Sequence, residues 1–355
     1  MTKDISHNNK KLFLTEVAII RPILIVLLVF YHAFAIYSGA WEPIDGISEV
    51  KAYWWLDKLS YAFMLEMFVF ISGYVYGYQV RTKGECKLNA KDLFGGKFKR
   101  LIIPSMVFSL IYIILFQDVL HQSVLSTIYG VVAGTGHMWF LPMLFWCFAF
   151  LWLIERMNLR PRIIMPLLCI LSIISFVPLP FHMGHTLYYM FFFYVGYIMQ
   201  KTQVDVTCFY RPKVILFLTT SFVVLFVSFT LVNKNFDLFI GGGQLVIKVL
   251  RNSLSRLLKI TYSSVGIAML FTMVELMEQR RAKPIEHWIV ELGGLCMGVY
   301  IFQQFILKAL YNCFEFVFFI GSYWLPWIGF VIALFGSLFL SWLFHKTKIG
   351  RFLIG

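Results

Sequence analysis

The chain has 355 residues, of which 60% are hydrophobic and only 14% charged. Ordinary soluble domains carry roughly 25% charged residues, and apolar runs recur here from end to end, which excludes a soluble domain of any size. The net charge of +13 raises nucleic-acid binding. The basic residues, however, lie in short segments between apolar runs, the distribution of the positive-inside rule, so no nucleic-acid partner is expected. The six cysteines are scattered without a CxxC pair. That pattern gives neither a disulfide framework nor a zinc site, and no metal is expected.

A spanning helix needs about 20 largely apolar residues. On that basis the sequence predicts ten spans, near 17–39, 59–80, 101–117, 138–155, 163–180, 186–200, 213–232, 260–278, 289–310 and 323–344. Ala33-Phe34-Ala35 imitates a signal-peptide cleavage site. The apolar run continues past a short h-region, so an uncleaved first span is expected. Most of the 31 basic residues fall on the side of the N-terminus. The outer segments hold Lys51, Lys58, Lys234, Lys248, Arg251, Arg256, Lys259 and Lys308. This bias predicts an all-α polytopic membrane protein with both termini cytoplasmic. A single membrane-embedded domain covers 1–355, with cytoplasmic tails at 1–16 and 345–355.

The first span, RPILIVLLVFYHAF, carries two residues foreign to a bilayer, Arg21 and His32. A cation at the centre of a span costs roughly 2.5–3.5 kcal/mol on insertion scales. Eleven residues at 100° each end about 20° past three full turns, so both side chains share one helix face, about 16 Å apart along the axis. Arg21 can snorkel to the inner interface. His32 has no such escape and is either a hydrogen-bonded structural histidine or part of a site. In the second span LEMFVFISGYVYGY holds Glu66, with Ser72 and Gly73 after it. An intramembrane carboxylate is a site candidate by default, and His32 is its expected partner: the pair would fix one imidazole tautomer and leave the other nitrogen as a base. The alternative is a structural ion pair.

The basic cluster KFKRLIIP, with Lys97 and Arg100, leads into the third span. It serves topology, or binds phosphate groups. GHMWFLP puts His137 and Trp139 at the outer mouth of the fourth span, where tryptophan is ordinarily an interfacial anchor. His182 and His185 imitate a metal pair but have no adjacent carboxylate. The outer cations concentrate in 233–259, which predicts a re-entrant or interfacial amphipathic helix or a site for an anionic acceptor.

Taken in order, these elements resemble the acyltransferase-3 family of integral membrane acyltransferases, which includes bacterial glycan O-acetyltransferases. Arg21 and His32 match its Arg-x10-His signature; FVFISGY (68–74) is similar to FFFISGY; KFKRLIIP is similar to RxxRLxxP with Lys97 for the first arginine. HMWFLP (137–142) is similar to HLWFLP, and LGGLCMGVYIFQQF (292–305) to the late GxYLxH segment. Gln303 stands where many relatives have histidine, so it is expected to assist binding. Glu66 stands where relatives often have proline.

The resemblance implies acyl transfer from acetyl-CoA, or another short acyl-CoA, entering from the cytoplasm. The acceptor is a hydroxyl of an envelope glycan or lipid-linked sugar, and the setting is a bacterial cytoplasmic membrane. The acyl-CoA is a substrate, and no permanently bound cofactor is implied. On this reading His32 and Glu66 are catalytic; Arg21, Lys97, Arg100, Ser72 and Gly73 bind the donor; His137, Trp139, Tyr300, Gln303 and Arg256 bind the acceptor. Intramembrane charges also suit a transporter, although no internal repeat is found, and family membership alone also admits an exporter or a non-catalytic partner.

Overall fold

The computed structural model describes residues 14–84, 88–117, 123–177, 179–239, 245–281 and 287–355. Cys86 and the cations Lys3, Lys10, Lys11, Lys87 and Lys283 lie outside the described residues. Within them the α-helices are α1 (Thr15–Ser38), α2 (Lys51–Ser60), α3 (Met64–Lys83), α4 (Ala90–Lys97), α5 (Ile103–Phe116), α6 (Val124–Ala133) and α7 (Phe140–Met157). They continue with α8 (Pro161–Ile173), α9 (Met183–Lys201), α10 (Pro212–Phe239), α11 (Leu245–Gln279), α12 (His287–Tyr311), α13 (Phe314–His345) and α14 (Lys348–Ile354).

Polarity is inverted relative to a soluble fold. Leu216, Phe217, Phe319 and Phe335 are exposed, whereas His32, Asp57, Glu66, His137 and Gln303 are buried. Such an apolar exterior is a liability in water, but in a bilayer it is the solvated face, and polar groups retreat to the interior. Among the described residues, eight helical stretches are long and apolar enough to cross a membrane: Thr15–Ser38, Lys51–Lys83, Ala90–Phe116, Gly136–Met157, Pro212–Asn233, Ile247–Gln279, Trp288–Tyr311 and Glu315–His345. The chain is an all-α polytopic membrane protein.

Two of the ten expected spans fall short of that standard. The fifth coincides with α8, whose 13 residues reach about 20 Å at 1.5 Å each, less than the roughly 30 Å hydrocarbon core. The sixth coincides with α9, which has 19 residues but is diluted by tyrosines, glycines and His185. Its aromatic side chains Tyr188, Phe192, Phe193, Tyr194 and Tyr197 are buried in the bundle. The segment 233–259 belongs to α10 and α11 over its described residues, with no separate interfacial helix.

The first helix is the hub, packed against α2, α3, α11, α12 and α13. Glu16 sits in its first turn, where a carboxylate meets the positive end of the helix dipole. Gly39 ends it in a left-handed conformation, φ 76°, the common glycine C-cap. The closest helix pair is α3 with α9. A Cβ at Gly73 would stand 1.9 Å from the Phe193 carbonyl oxygen, and one at Gly77 2.3 Å from that of Tyr197. Small residues let backbones touch in this way, and membrane helices associate by such packing.

Candidate active site

The inner face of α1 opens onto two adjoining cavities of about 350 Å³ each. Arg21 and Ile25 line the first together with Ser72, Arg100, Cys296 and Met297. His32 and Tyr31 line the second together with Trp41, His137, Gln304 and Lys308. Leu28, Leu65, Phe140 and Tyr300 line both, so these four side chains form the partition. Arg21 and His32, about 16 Å apart along one helix face by helix rise, thus line different chambers.

In the first chamber, Arg21 comes from the second turn of α1, and Arg100 comes from a π-helical turn, Phe98–Ile102. The turn has a local cause. Pro104 has no N–H to offer the Arg100 carbonyl, and its ring crowds that carbonyl. The ladder widens there, with the Ile103 N–H donating to the Phe98 carbonyl five residues back; such π-turns recur at functional sites. Among the described residues no aspartate or glutamate side chain lines this chamber, and neither guanidinium makes a hydrogen bond or ion pair. Two guanidinium groups face one cavity that Gly355 also lines, an arrangement able to bind an anion such as a phosphate.

The two histidines of the second chamber differ sharply. Their ring centroids are 6.3 Å apart, edge to face. His137 sits in a 3₁₀ turn, Gly136–Trp139, and is fastened to α12. Its N–H donates to Gln304 Oε1 at 3.1 Å, its Nε2 donates to the Ile301 carbonyl at 3.0 Å, and its Nδ1 contacts the Gln304 amide. The Tyr300 hydroxyl donates to the His137 carbonyl. Both ring nitrogens of His137 are therefore engaged. His32 Nδ1, by contrast, is buried without a hydrogen-bond partner, as is Gln303 Oε1, and the polar groups beside the ring are the Gln303 side chain and the Leu28 carbonyl. Trp41 stacks on the His32 ring at 5.8 Å, and Tyr31 flanks it at 5.0 Å.

Several expected residues sit elsewhere. Glu66 does not pair with His32: its Oε1 accepts a hydrogen bond from the Tyr188 hydroxyl at 2.8 Å and lies 3.4 Å from the Lys259 ammonium. The reason is rotation. Glu66 follows Leu65, which does face the chambers, by one helical step of about 100°, and so points towards α9 and α11. Arg256 stacks on the Tyr188 ring at 4.9 Å and does not line the second chamber. Two of the cations of 233–259 are thus turned onto protein partners. Lys97 lies over the rings of Phe148, at 3.7 Å, and Tyr76, at 5.3 Å, and does not line the chamber of Arg21. Gly73 meets the α9 backbone and not a ligand. Ser72 lines the Arg21 chamber while its hydroxyl donates to the Phe68 carbonyl at 2.9 Å. Gln303 is fully buried beside His32, whereas the next residue, Gln304, lines the cavity.

Trp41, Tyr61, Gln304 and Lys308 were not selected from the sequence. Gln304 and Lys308 carried a signal, since Tyr300, Gln304 and Lys308 repeat every four residues along one face of α12. Trp41 and Tyr61, in connections between helices, carried none. His182 and His185 have rings 5.8 Å apart, with Trp139 4.7 Å from His185; among the described residues no group of three metal-ligating side chains exists.

These features agree with a comparison covering nearly the whole chain. The chain belongs to the acyltransferase-3 family, whose model, described as an acyltransferase domain, matches residues 15–346. It is a multi-span membrane acyltransferase. No curated protein and no solved structure matches the chain.

Proposed function

We propose that the protein transfers an acetyl or similar short acyl group from a cytoplasmic acyl-CoA to a hydroxyl of an envelope glycan or lipid-linked sugar, in a bacterial cytoplasmic membrane with both termini inside. The observation that carries this reading is the pair of chambers joined at Leu28, Leu65, Phe140 and Tyr300. Among the described residues, one is lined by Arg21 and Arg100 without a carboxylate side chain, and the other holds the His32 imidazole, whose Nδ1 makes no hydrogen bond. A nucleotide-bearing thioester has that same division. Its phosphates meet Arg21 and Arg100, and its extended pantetheine arm passes along α1 through the apolar partition. The thioester carbonyl then arrives at His32.

The acceptor hydroxyl enters from the other side, among Trp41, His137 and Trp139. A hydroxyl is a poor nucleophile at neutral pH, and a base that takes its proton during attack is typically worth about 10²–10⁴-fold. His32 takes that role. The flanking rings of Trp41 and Tyr31 hold the imidazole orientation in place of Glu66, with the Gln303 side chain and the Leu28 carbonyl beside it. The hydroxyl oxygen bonds to the acyl carbon, the thioester C–S bond breaks, and the proton held on His32 returns to the leaving thiolate.

One experiment tests donor and base together. In reconstituted protein, His32→Ala retains acetyl-CoA binding and loses acyl transfer. Arg21→Met weakens acetyl-CoA binding by about 1.5–3 kcal/mol, the range for a charge-assisted hydrogen bond, and spares binding of acetyl-pantetheine, which lacks the nucleotide. Transfer at the wild-type rate by His32→Ala refutes the base, and equal losses with both donors refute the phosphate site.

A further inference from the structure

The acceptor-side chamber contains more than the chemistry of transfer requires. Aromatic faces from Tyr31, Trp41, Tyr61, Tyr112 and Trp139 surround it, and among the described residues its one fixed cation is Lys308. Flat aromatic faces suit the C–H faces of a pyranose ring. A cation suits something a neutral sugar does not have.

Lys308 is two helical turns along α12 from Tyr300 and one from Gln304, so all three side chains share a face. Its ammonium lies 4.4 Å from the Trp41 ring centroid, and Trp41 in turn stacks on His32. The cation is thus held one ring away from the reacting imidazole. Among the described residues Lys308 makes no ion pair. Glu42, on the connection after α1, is near enough to act on it electrostatically but is exposed and does not bridge to it. Among the described residues no aspartate or glutamate lines the chamber. The contrast with Lys259, which neutralises Glu66, is direct: one outer cation is consumed by the fold, the other is left facing the cavity. A half-buried, unneutralised ammonium is costly unless a ligand supplies its counter-charge.

We propose that the acceptor is an anionic sugar, whose carboxylate or phosphate binds Lys308 while its ring packs against the aromatic lining of the chamber, with Tyr61 and Trp139 as faces not taken up by Lys308 or His32, and presents a hydroxyl to His32. This rests on the acyl-transfer reading and specifies its acceptor. Lys308 is a specificity-determining residue, acting on which sugar is bound and not on the bond that breaks.

The test uses the full-length protein in nanodiscs with three probes: methyl glucoside, methyl glucuronoside and methyl glucoside 6-phosphate. Binding is measured by calorimetry, and acetyl transfer from acetyl-CoA is measured separately. At least one anionic glycoside binds about tenfold or more tightly than the neutral one, as a charge-assisted contact provides, and the better of the two identifies the anion. Lys308→Met abolishes the preference, Lys308→Arg retains it, and acetyl-CoA binds both variants as it does the wild type. Equal binding of all three probes, binding of none, or a preference that survives Lys308→Met overturns the proposal. So does a Lys308→Met variant that binds normally but transfers more slowly to every probe, since that would make Lys308 a participant in the reaction. A binding preference without acetyl transfer to any probe leaves Lys308 as an anion site and refutes the acyl-transfer reading alone.

Discussion

Replacing Glu66 separates a catalytic carboxylate from a structural one. Its side chain is fully buried; Oε1 accepts from Tyr188 on α9 and faces Lys259 on α11, so one carboxylate joins three helices. Glu66→Ala leaves the Lys259 ammonium without its counter-charge and the Tyr188 hydroxyl without its acceptor. Breaking a buried ion pair from one side costs about 3–5 kcal/mol. Lys259 keeps 20% of its side chain exposed, so water recovers part of its solvation and the loss is expected at about 3 kcal/mol, the low end of that range. Lys259→Met strands the carboxylate, which has no exposed surface, and costs at least as much. The double variant Glu66→Leu/Lys259→Met recovers the part of the loss that comes from a stranded charge, because an apolar pair of similar volume replaces both ions, while the buried Tyr188 hydroxyl still lacks its acceptor. Thermal unfolding in detergent measures all three, and transfer is assayed at a temperature where each is folded. A Glu66→Gln variant that unfolds with the wild type yet loses transfer a hundredfold or more would refute this reasoning and restore Glu66 to the catalytic set.

Gly73→Ala is expected to destabilise the bundle by about 1–3 kcal/mol, the usual cost of overpacking, because its Cβ would stand 1.9 Å from the Phe193 carbonyl oxygen and neither backbone can yield alone. Ser72→Ala, one residue away, removes only a bond within the helix and unfolds with the wild type; equal unfolding of the two variants would count against the α3–α9 contact. Topology is tested by two exposed cysteines, Cys208 before α10 and Cys313 between α12 and α13. With both termini inside, a membrane-impermeant thiol reagent labels Cys313 in sealed cells and reaches Cys208 only after permeabilisation; the reverse pattern inverts the donor and acceptor sides.

The sequence made the helices and the line of the site legible for different reasons. Helices followed from apolar runs, whose length alone is nearly decisive in a bilayer, and the two that fell short, α8 and α9, differ from the rest in length and in tyrosine content. Arg21 and His32 were legible because they share one helix and helical geometry fixes their relation. Contacts between helices were not legible in this way. Glu66 and Leu65 are adjacent in sequence, yet one faces Lys259 and the other the partition, and only the rotation of α3 against α9 decides which. That rotation is set by Gly73, Gly77 and Gly196, residues that look like ligand-binding glycines in a motif and act as packing surfaces. The segment 233–259 misled in the same manner, since a run of cations does not reveal that Lys259 and Arg256 are turned onto Glu66 and Tyr188.

The joining of the chambers has a simple geometric basis in two helices. Along α1 the lining includes Arg21, Ile25, Leu28 and His32, and along α12 it includes Gly293, Met297, Tyr300, Gln304 and Lys308. Both series advance by three or four residues, one face of each helix. Each face changes character along its length, from polar or small at one end, through Leu28 and Tyr300 in the middle, to polar again at the other. On the proposed reading, a single apolar step in the middle lets a thin arm carrying a thioester through while denying a continuous path to water and ions, whose transfer into an apolar constriction is costly. Tyr300 belongs to both chambers and donates its hydroxyl to the His137 carbonyl, so the partition is anchored to the turn that shapes the acceptor side. Movement of α12 against α1 would therefore alter the passage and the acceptor chamber together, through one side chain.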